Sequence, residues 1–246
     1  MKSMRTLWMI VLLVMTGSAF AADYAREKKW ADEVVPGVVV GDPVYLEQAN
    51  GHKFLTLYTQ VKDAKAALVI VHGLGIHPDW GLIGVLRSQL PDHGYTTLSV
   101  QMPVLGSAAK ATAYPATFPE AAQRLRLAVG FLKAKGYSKI GIVSHSMGSR
   151  MSYAYLSAKP DSAVKAWVAI GMPSRADYRK VNMPVLDLYG QNDLPEVLNS
   201  AAARKAALRG KPDSEQMQVA RADHFFTDMD TQLVDIVATY LNKQFK

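Results

Sequence analysis

Short apolar runs alternate with amphipathic stretches through most of this 246-residue chain, and that rhythm restricts the folds open to it. Tyr95–Gln101 is a strand in which β-branched, aromatic and small polar residues mix, and Ala66–Val71, Lys139–Val143, Val164–Ile170 and Val185–Tyr189 are brief and largely apolar. That is the pattern of strands covered on both faces. Between and after them lie stretches with helical spacing: Trp80–Leu90, Phe118–Lys135 before Gly136, Met147–Ala158, and Glu196–Leu208 before Gly210. Glu215–Ala220 reads as a last strand and Asp228–Asn242 as a last helix. Strands separated by helices require crossovers, and crossovers make a parallel sheet with helices on both faces. Asn50-Gly51, between Pro43–Gln48 and Lys53–Gln60, is the signature of a tight antiparallel hairpin opening that sheet. The expectation is an α/β fold in one domain over residues 22–246.

The first 21 residues read differently. Lys2 and Arg5 precede an apolar run from Leu7 to Met15, followed by Gly17, Ser18 and Ala19-Phe20-Ala21. A basic start, a short apolar centre and an A-x-A site form a secretory leader, cleaved before Ala22. The run is about half the ~20 residues needed to span a membrane, so no stable anchor is expected once the leader is removed. The chain has no cysteine, which excludes lipoprotein-type lipidation, disulfides, a thiol nucleophile and thiolate metal sites. These features predict a periplasmic protein. The formal charge of +7 falls by two, to +5, without Lys2 and Arg5. The remaining basic residues are scattered, with no basic stripe interleaved with aromatics, so nucleic acid is not an expected partner. A mild positive field would favour anionic surfaces or acidic substrates, or serve solubility alone.

One turn carries chemistry. Ile140-Gly141-Ile142-Val143 leads into Ser144-His145-Ser146-Met147-Gly148, and a helix-compatible run follows. Strand, sharp turn with a central serine, then helix is the layout of a nucleophile elbow, usually written G-x-S-x-G. Here Ser144 stands in place of the first glycine. The bland alternative is a small-residue turn without chemistry.

A serine hydroxyl needs a base beside it, and the base needs a carboxylate to hold its tautomer. His224, in Asp223-His224-Phe225 just past the last strand, follows every candidate acid. Asp193 falls just beyond the end of a strand, on the rim where such sheets bind ligands. Asp187 lies inside that strand and reads as a buried structural carboxylate, while Glu196 reads as a helix-start residue. Val71-His72-Gly73-Leu74-Gly75 follows the first parallel strand. Its glycines would let backbone N–H groups turn inward, so the N–H groups of Leu74 and Met147 are the expected oxyanion donors. His77, Trp80 and His145 are candidate pocket residues; for His72 and His77, backbone shaping and local hydrogen bonding is the favoured role. Neither a dinucleotide loop, a phosphate-cradling loop nor a metal motif is present, so no cofactor or metal is expected.

His72-Gly73, Ser144-His145-Ser146-Met147-Gly148, Tyr189-Gly190-x-x-Asp193 and Asp223-His224 together resemble the α/β-hydrolase superfamily. The compact spacing, 47 residues from Ser146 to Asp193 and 31 more to His224, is similar to dienelactone-hydrolase-like proteins and small carboxylesterases. His72–Trp80 also resembles a family of exported bacterial proteins of this fold without an assigned function. The resemblance implies catalysis by Ser146, His224 and Asp193 on a small acyl substrate such as a carboxylic ester. A protein that keeps the fold for binding in the envelope is the alternative. Gly171–Met183 is too short for a helical cap, which predicts an open site; Met102–Thr117 is long enough to shape one side or to serve as a surface connection.

Overall fold

The structure is a computed structural model that describes residues 22–246. The expected leader, residues 1–21, lies outside the described residues. One sheet of eight strands carries the architecture, in the order β1-β2-β4-β3-β5-β6-β7-β8. β1 (Asp42–Glu47) and β2 (Lys53–Thr59) form the expected hairpin, and β2 runs antiparallel to β4 (Tyr95–Val100). From β4 through β3 (Ala66–Val71), β5 (Ile140–His145), β6 (Val164–Ile170), β7 (Val185–Asn192) and β8 (Glu215–Asp223) every pairing is parallel.

Alternate side chains of the central strands feed two separate cores. Val69, Val71, Ile142, Trp167 and Ala169 pack toward α3 (Phe118–Ala134) and α4 (Met147–Leu156). Leu68, Ile70, Val143, Val168 and Leu186 pack toward α2 (Gly81–Gln89) and α6 (Asp230–Gln244). This two-sided burial is why β3 is apolar throughout and why β4 and β5 are buried at every position rather than alternating, with the Thr96, Thr97 and Ser99 hydroxyls of β4 all hydrogen-bonded. α5 (Pro195–Ala207) follows β7 and carries a proline in its first turn, where no intrahelical N–H bond is lost.

Two elements depart from the sequence reading. Tyr24–Val34 forms a helix, α1, capped by Asp23, whose carboxylate accepts from the Arg26 N–H. Its sequence has no apolar stripe, and the residues it buries are Glu27 and Ala31. β8 also runs further than expected, to Asp223, because its end pairs with Asn192. The connection after β4 is partly ordered as a 3₁₀ segment, Ala111–Thr117. Between β6 and β7 only one 3₁₀ turn intervenes, Tyr178–Lys180, and Met172, Ala176 and Tyr178 are packed into the core rather than folded over the sheet's edge.

The substitution at the elbow has a local cause. The Ser144 hydroxyl accepts the Trp167 indole N–H at 2.8 Å and lies 3.3 Å from the Val168 carbonyl. The Ser149 hydroxyl sits 2.9 Å from the Ser144 carbonyl and 3.1 Å from that of Ile170. A glycine at 144 would leave the buried Trp167 donor without a partner. Ser144→Gly is therefore expected to cost about 1–3 kcal/mol in urea unfolding, the penalty of an orphaned buried donor. An unchanged midpoint would remove this account of the serine.

Candidate active site

All the candidate residues lie at the carboxyl ends of the parallel strands. Ser146 joins β5 to α4 with φ 54° and ψ −122°, outside the regions ordinarily open to a non-glycine residue. Two close approaches hold that turn. A Cβ on Gly148 would lie 2.3 Å from the His72 carbonyl oxygen, so α4 can sit against the end of β3 only with glycine there. A Cβ on Gly73 would lie 3.2 Å from the Ser146 Cβ, which places the Gly73-Leu74 loop directly beside the serine.

Ser146, His224 and Asp193 form one hydrogen-bonded series. The Ser146 Oγ lies 2.9 Å from the Nε2 of His224, and the Nδ1 of His224 lies 2.5 Å from the Oδ1 of Asp193. Burial pushes the Asp193 carboxyl upward, but the His224 ring and the N–H groups of Gly190 and Leu194 outweigh it and hold the group below its usual range. Asp193 is thus ionised at neutral pH and can only accept. His224 must donate from Nδ1, which leaves Nε2 bare to receive the serine proton.

The ring of His224 is confined on several sides. Gly171 stands at φ 55°, and a Cβ there would come within 2.9 Å of the ring. Phe225 meets the ring edge-on at 5.1 Å. Asp223 ties the loop by accepting the N–H groups of Phe225 and Thr227 and the Thr227 hydroxyl.

The pocket residues expected from the sequence are distributed differently. His145 does not face an open pocket. It is almost fully buried, since it ends β5 beneath the His224 ring, with centroids 4.7 Å apart. Its Nε2 lies 2.9 Å from the His224 carbonyl, and burial drives its pKa to about 3, so it stays neutral and donates to that carbonyl. It braces the histidine loop instead of meeting substrate. His77 turns its ring onto Trp30 of α1, and its Nδ1 accepts the Asp79 N–H, so it frames its own loop. Trp80 does reach the rim, where it packs edge-on against Phe225 at 5.4 Å.

Leu74, Trp80, Leu194 and Phe225 are 38%, 37%, 43% and 45% exposed. They are four of the six large apolar side chains exposed among the described residues, and each belongs to a loop that carries a site residue. Phe225 was not foreseen; its place next to His224 was the only signal available.

The oxyanion loop is braced from behind. His72 is fully buried, and burial lowers its pKa to about 3. As a neutral ring it donates from Nδ1 to the Gly73 carbonyl, while its Nε2 accepts the Met102 N–H at 2.8 Å. Gln101 bonds the same nitrogen. The Gln101 carbonyl in turn accepts from Arg124, which also pairs with Glu27 of α1 at 2.9 Å. The loop-shaping role expected of His72 thus extends back to the first helix. Met147 opens α4, where the first N–H groups have no intrahelical acceptor, so its N–H is free to bind an oxyanion. Among the described residues no three His, Asp or Glu side chains are grouped to hold a metal ion.

The parallel order, the elbow and the position of the site define the α/β-hydrolase fold. Residues 41–123 match the model of a family described as a protein of unknown function, DUF3530; the matched stretch includes the Gly73 loop and ends before Ser146. Similar solved structures include dienelactone hydrolase from Anabaena variabilis ATCC 29413, at 18% identity over 83% of this chain and 99% of that one, with a TM-score of 0.65. The esterase domain of a Rhodothermus marinus protein is 15% identical, with 83% and 99% covered and a TM-score of 0.62. An α/β serine hydrolase without a lid from Xanthomonas campestris is 15% identical, with 84% and 95% covered and a TM-score of 0.65. At these identities the likeness establishes the fold. A comparison with curated proteins finds no sequence match.

Proposed function

We propose that the chain is an exported serine hydrolase that cleaves carboxylic esters or related acyl compounds through an acyl-enzyme. The observation that carries this reading is the unbroken series Ser146 Oγ, His224 and Asp193, with the serine held on a strained strand-to-helix turn. Ser146 attacks the acyl carbonyl as His224 takes its proton at Nε2. Charge that develops on the carbonyl oxygen is met by the N–H groups of Met147 and Leu74. The imidazolium, steadied by Asp193, gives its proton to the departing alcohol. Water then repeats the sequence on the acyl-enzyme, and Ser146 is regenerated.

The leader pattern supports release into the periplasm as a protein without a membrane anchor. With only one short 3₁₀ turn between β6 and β7, the connection is too small to cover the site, and Trp80 and Phe225 offer an apolar wall for a short acyl or aryl group. Small acyl esters are the expected substrates, turned over better than long triglycerides and without activation at an oil–water interface. The test is reaction with a fluorophosphonate probe. The chain from Ala22 is expected to be labelled at Ser146 and to hydrolyse short 4-nitrophenyl esters, and Ser146→Ala to lose both while still folding. A folded but unreactive native protein, at several pH values, would instead favour a binding role in the envelope.

A further inference from the structure

Among the described residues, Arg150 is the one arginine drawn partly out of water without an oxygen partner. Five arginines among the described residues are buried or half-buried: Arg26, Arg87, Arg124, Arg150 and Arg204. Four of them have oxygen partners. Arg26 donates to the carbonyls of Leu105 and Gly75, and Arg87 to Asp79 and the Val40 carbonyl. Arg124 binds Glu27, Glu120 and Gln48, and Arg204 binds Asp187. Arg150 has the Met147 sulfur at 3.8 Å and the face of Phe118 at 5.4 Å. Neither neighbour accepts a strong hydrogen bond, and a guanidinium carries five donors. Burial without a compensating carboxylate pulls its pKa below the ordinary arginine value. An arginine that merely solvated the surface would lie out in water, where it is not desolvated.

Its position is what gives this meaning. Arg150 stands one turn into α4, on the same face as Met147, and helical side chains lean toward the amino end. Its guanidinium therefore lies against Met147, the residue that follows Ser146. Phe118, which it covers, is the first residue of α3, so the cation sits near the amino ends of two helices, both of which favour an anion. The aromatic pair Trp80 and Phe225 lies in the loops that lead into α2 and α6, with Phe225 against His224, and those helices pack on the opposite face of the sheet from α3 and α4.

Resting on the hydrolase reading above, we propose that Arg150 is a substrate-binding residue that selects acyl compounds carrying a carboxylate or phosphate a few bonds from the scissile carbonyl. The apolar part of such a substrate lies against Trp80 and Phe225, and the anion turns toward Arg150. A bidentate, charge-assisted pair supplies the discrimination.

The test compares matched esters on the chain from Ala22. The mono-4-nitrophenyl ester of glutarate is set against 4-nitrophenyl butyrate, and 3-carboxyphenyl butyrate against phenyl butyrate, so that the anion lies on either side of the carbonyl. The native protein is expected to favour at least one anionic ester more than tenfold in kcat/KM. That ratio should fall at least tenfold in Arg150→Gln and less in Arg150→Lys, which keeps the charge without the planar fork. A native ratio near one for both pairs, or a ratio untouched by Arg150→Gln, overturns the assignment. If no ester is cleaved and Ser146 is not labelled, the hydrolase reading fails by itself, and calorimetric titration with glutarate decides the anion site separately. Binding that Arg150→Gln abolishes sustains the site; no binding, or binding indifferent to the substitution, removes it.

Discussion

Asp193→Asn is expected to lower kcat about 10⁴-fold while leaving the protein folded. The reason lies in the tautomer of His224. Asp193 can only accept at 2.5 Å, which fixes the imidazole proton on Nδ1 and leaves Nε2 free for the Ser146 hydroxyl. An asparagine can turn its amide N–H₂ toward Nδ1, which drives the proton to Nε2, where the serine can no longer give up its own. The amide oxygen then sits at the Oδ2 position and still accepts the Gly190 N–H, so only the Leu194 N–H, which faces Oδ1, loses its acceptor and the fold should survive. Stopped-assay turnover, the rate of fluorophosphonate labelling and a thermal melt together check this. The carboxylate also has a pH signature. Its folded pKa is depressed, so its contribution to stability is complete above the ordinary aspartate value near 3.9 and is lost as pH falls through the lower folded value. Asp193→Asn should remove that acid limb. If Asp187→Asn abolished turnover while Asp193→Asn retained it, the acid would be misassigned.

The second large effect concerns stability. Asp187 and Arg204 are both fully buried, with the guanidinium Nε 2.9 Å from one carboxylate oxygen. Tyr178 and Gln216 also donate to Asp187, while Arg204 reaches the Met172 carbonyl. Arg204→Met strips the carboxylate of its cation and should cost about 3–5 kcal/mol, read by urea unfolding at neutral pH. Burial already raises the Asp187 pKa in spite of Arg204, and loss of the arginine raises it further. A raised carboxyl destabilises the fold above its unfolded pKa and not below it, so the deficit of Arg204→Met should shrink as the solution is acidified. The double variant Arg204→Met/Asp187→Leu should regain most of the loss. A single variant within 1 kcal/mol of the native protein would show that the pair is not the clasp its contacts describe.

The parallel core was legible because β3 and most of β5, β6 and β7 are runs of apolar residues, a pattern that two-sided burial demands. Ser146, Asp193 and His224 were legible because their order and their places at strand ends are local properties of the chain. Asp187 could be set apart from Asp193 by one consideration, that it lies inside β7. α1 was illegible for a physical reason. It docks through Glu27, and a buried carboxylate leaves no apolar spacing to detect. His145 was misplaced because adjacency to Ser146 in sequence says nothing of which way a strand's last side chain points. Arg150 gave no signal and Phe225 only its place beside His224, since an arginine on a helix and a phenylalanine in a loop acquire meaning from what surrounds them.

The brace behind the oxyanion loop has a consequence for how the protein comes together. Glu27 contacts Arg124 across 97 positions of chain, and Arg124 contacts the Gln101 carbonyl across 23. Loops of that length close slowly, since their entropy is lost before any contact rewards it. During synthesis the first helix must therefore wait for roughly a hundred residues before its partner exists. The Gly73 turn is secured only when both ends of that loop have met, and the nucleophile and its histidine arrive later still. On the proposed chemistry, catalytic competence would thus be a late event in folding, and a partly formed chain would carry no assembled Ser146–His224–Asp193 series.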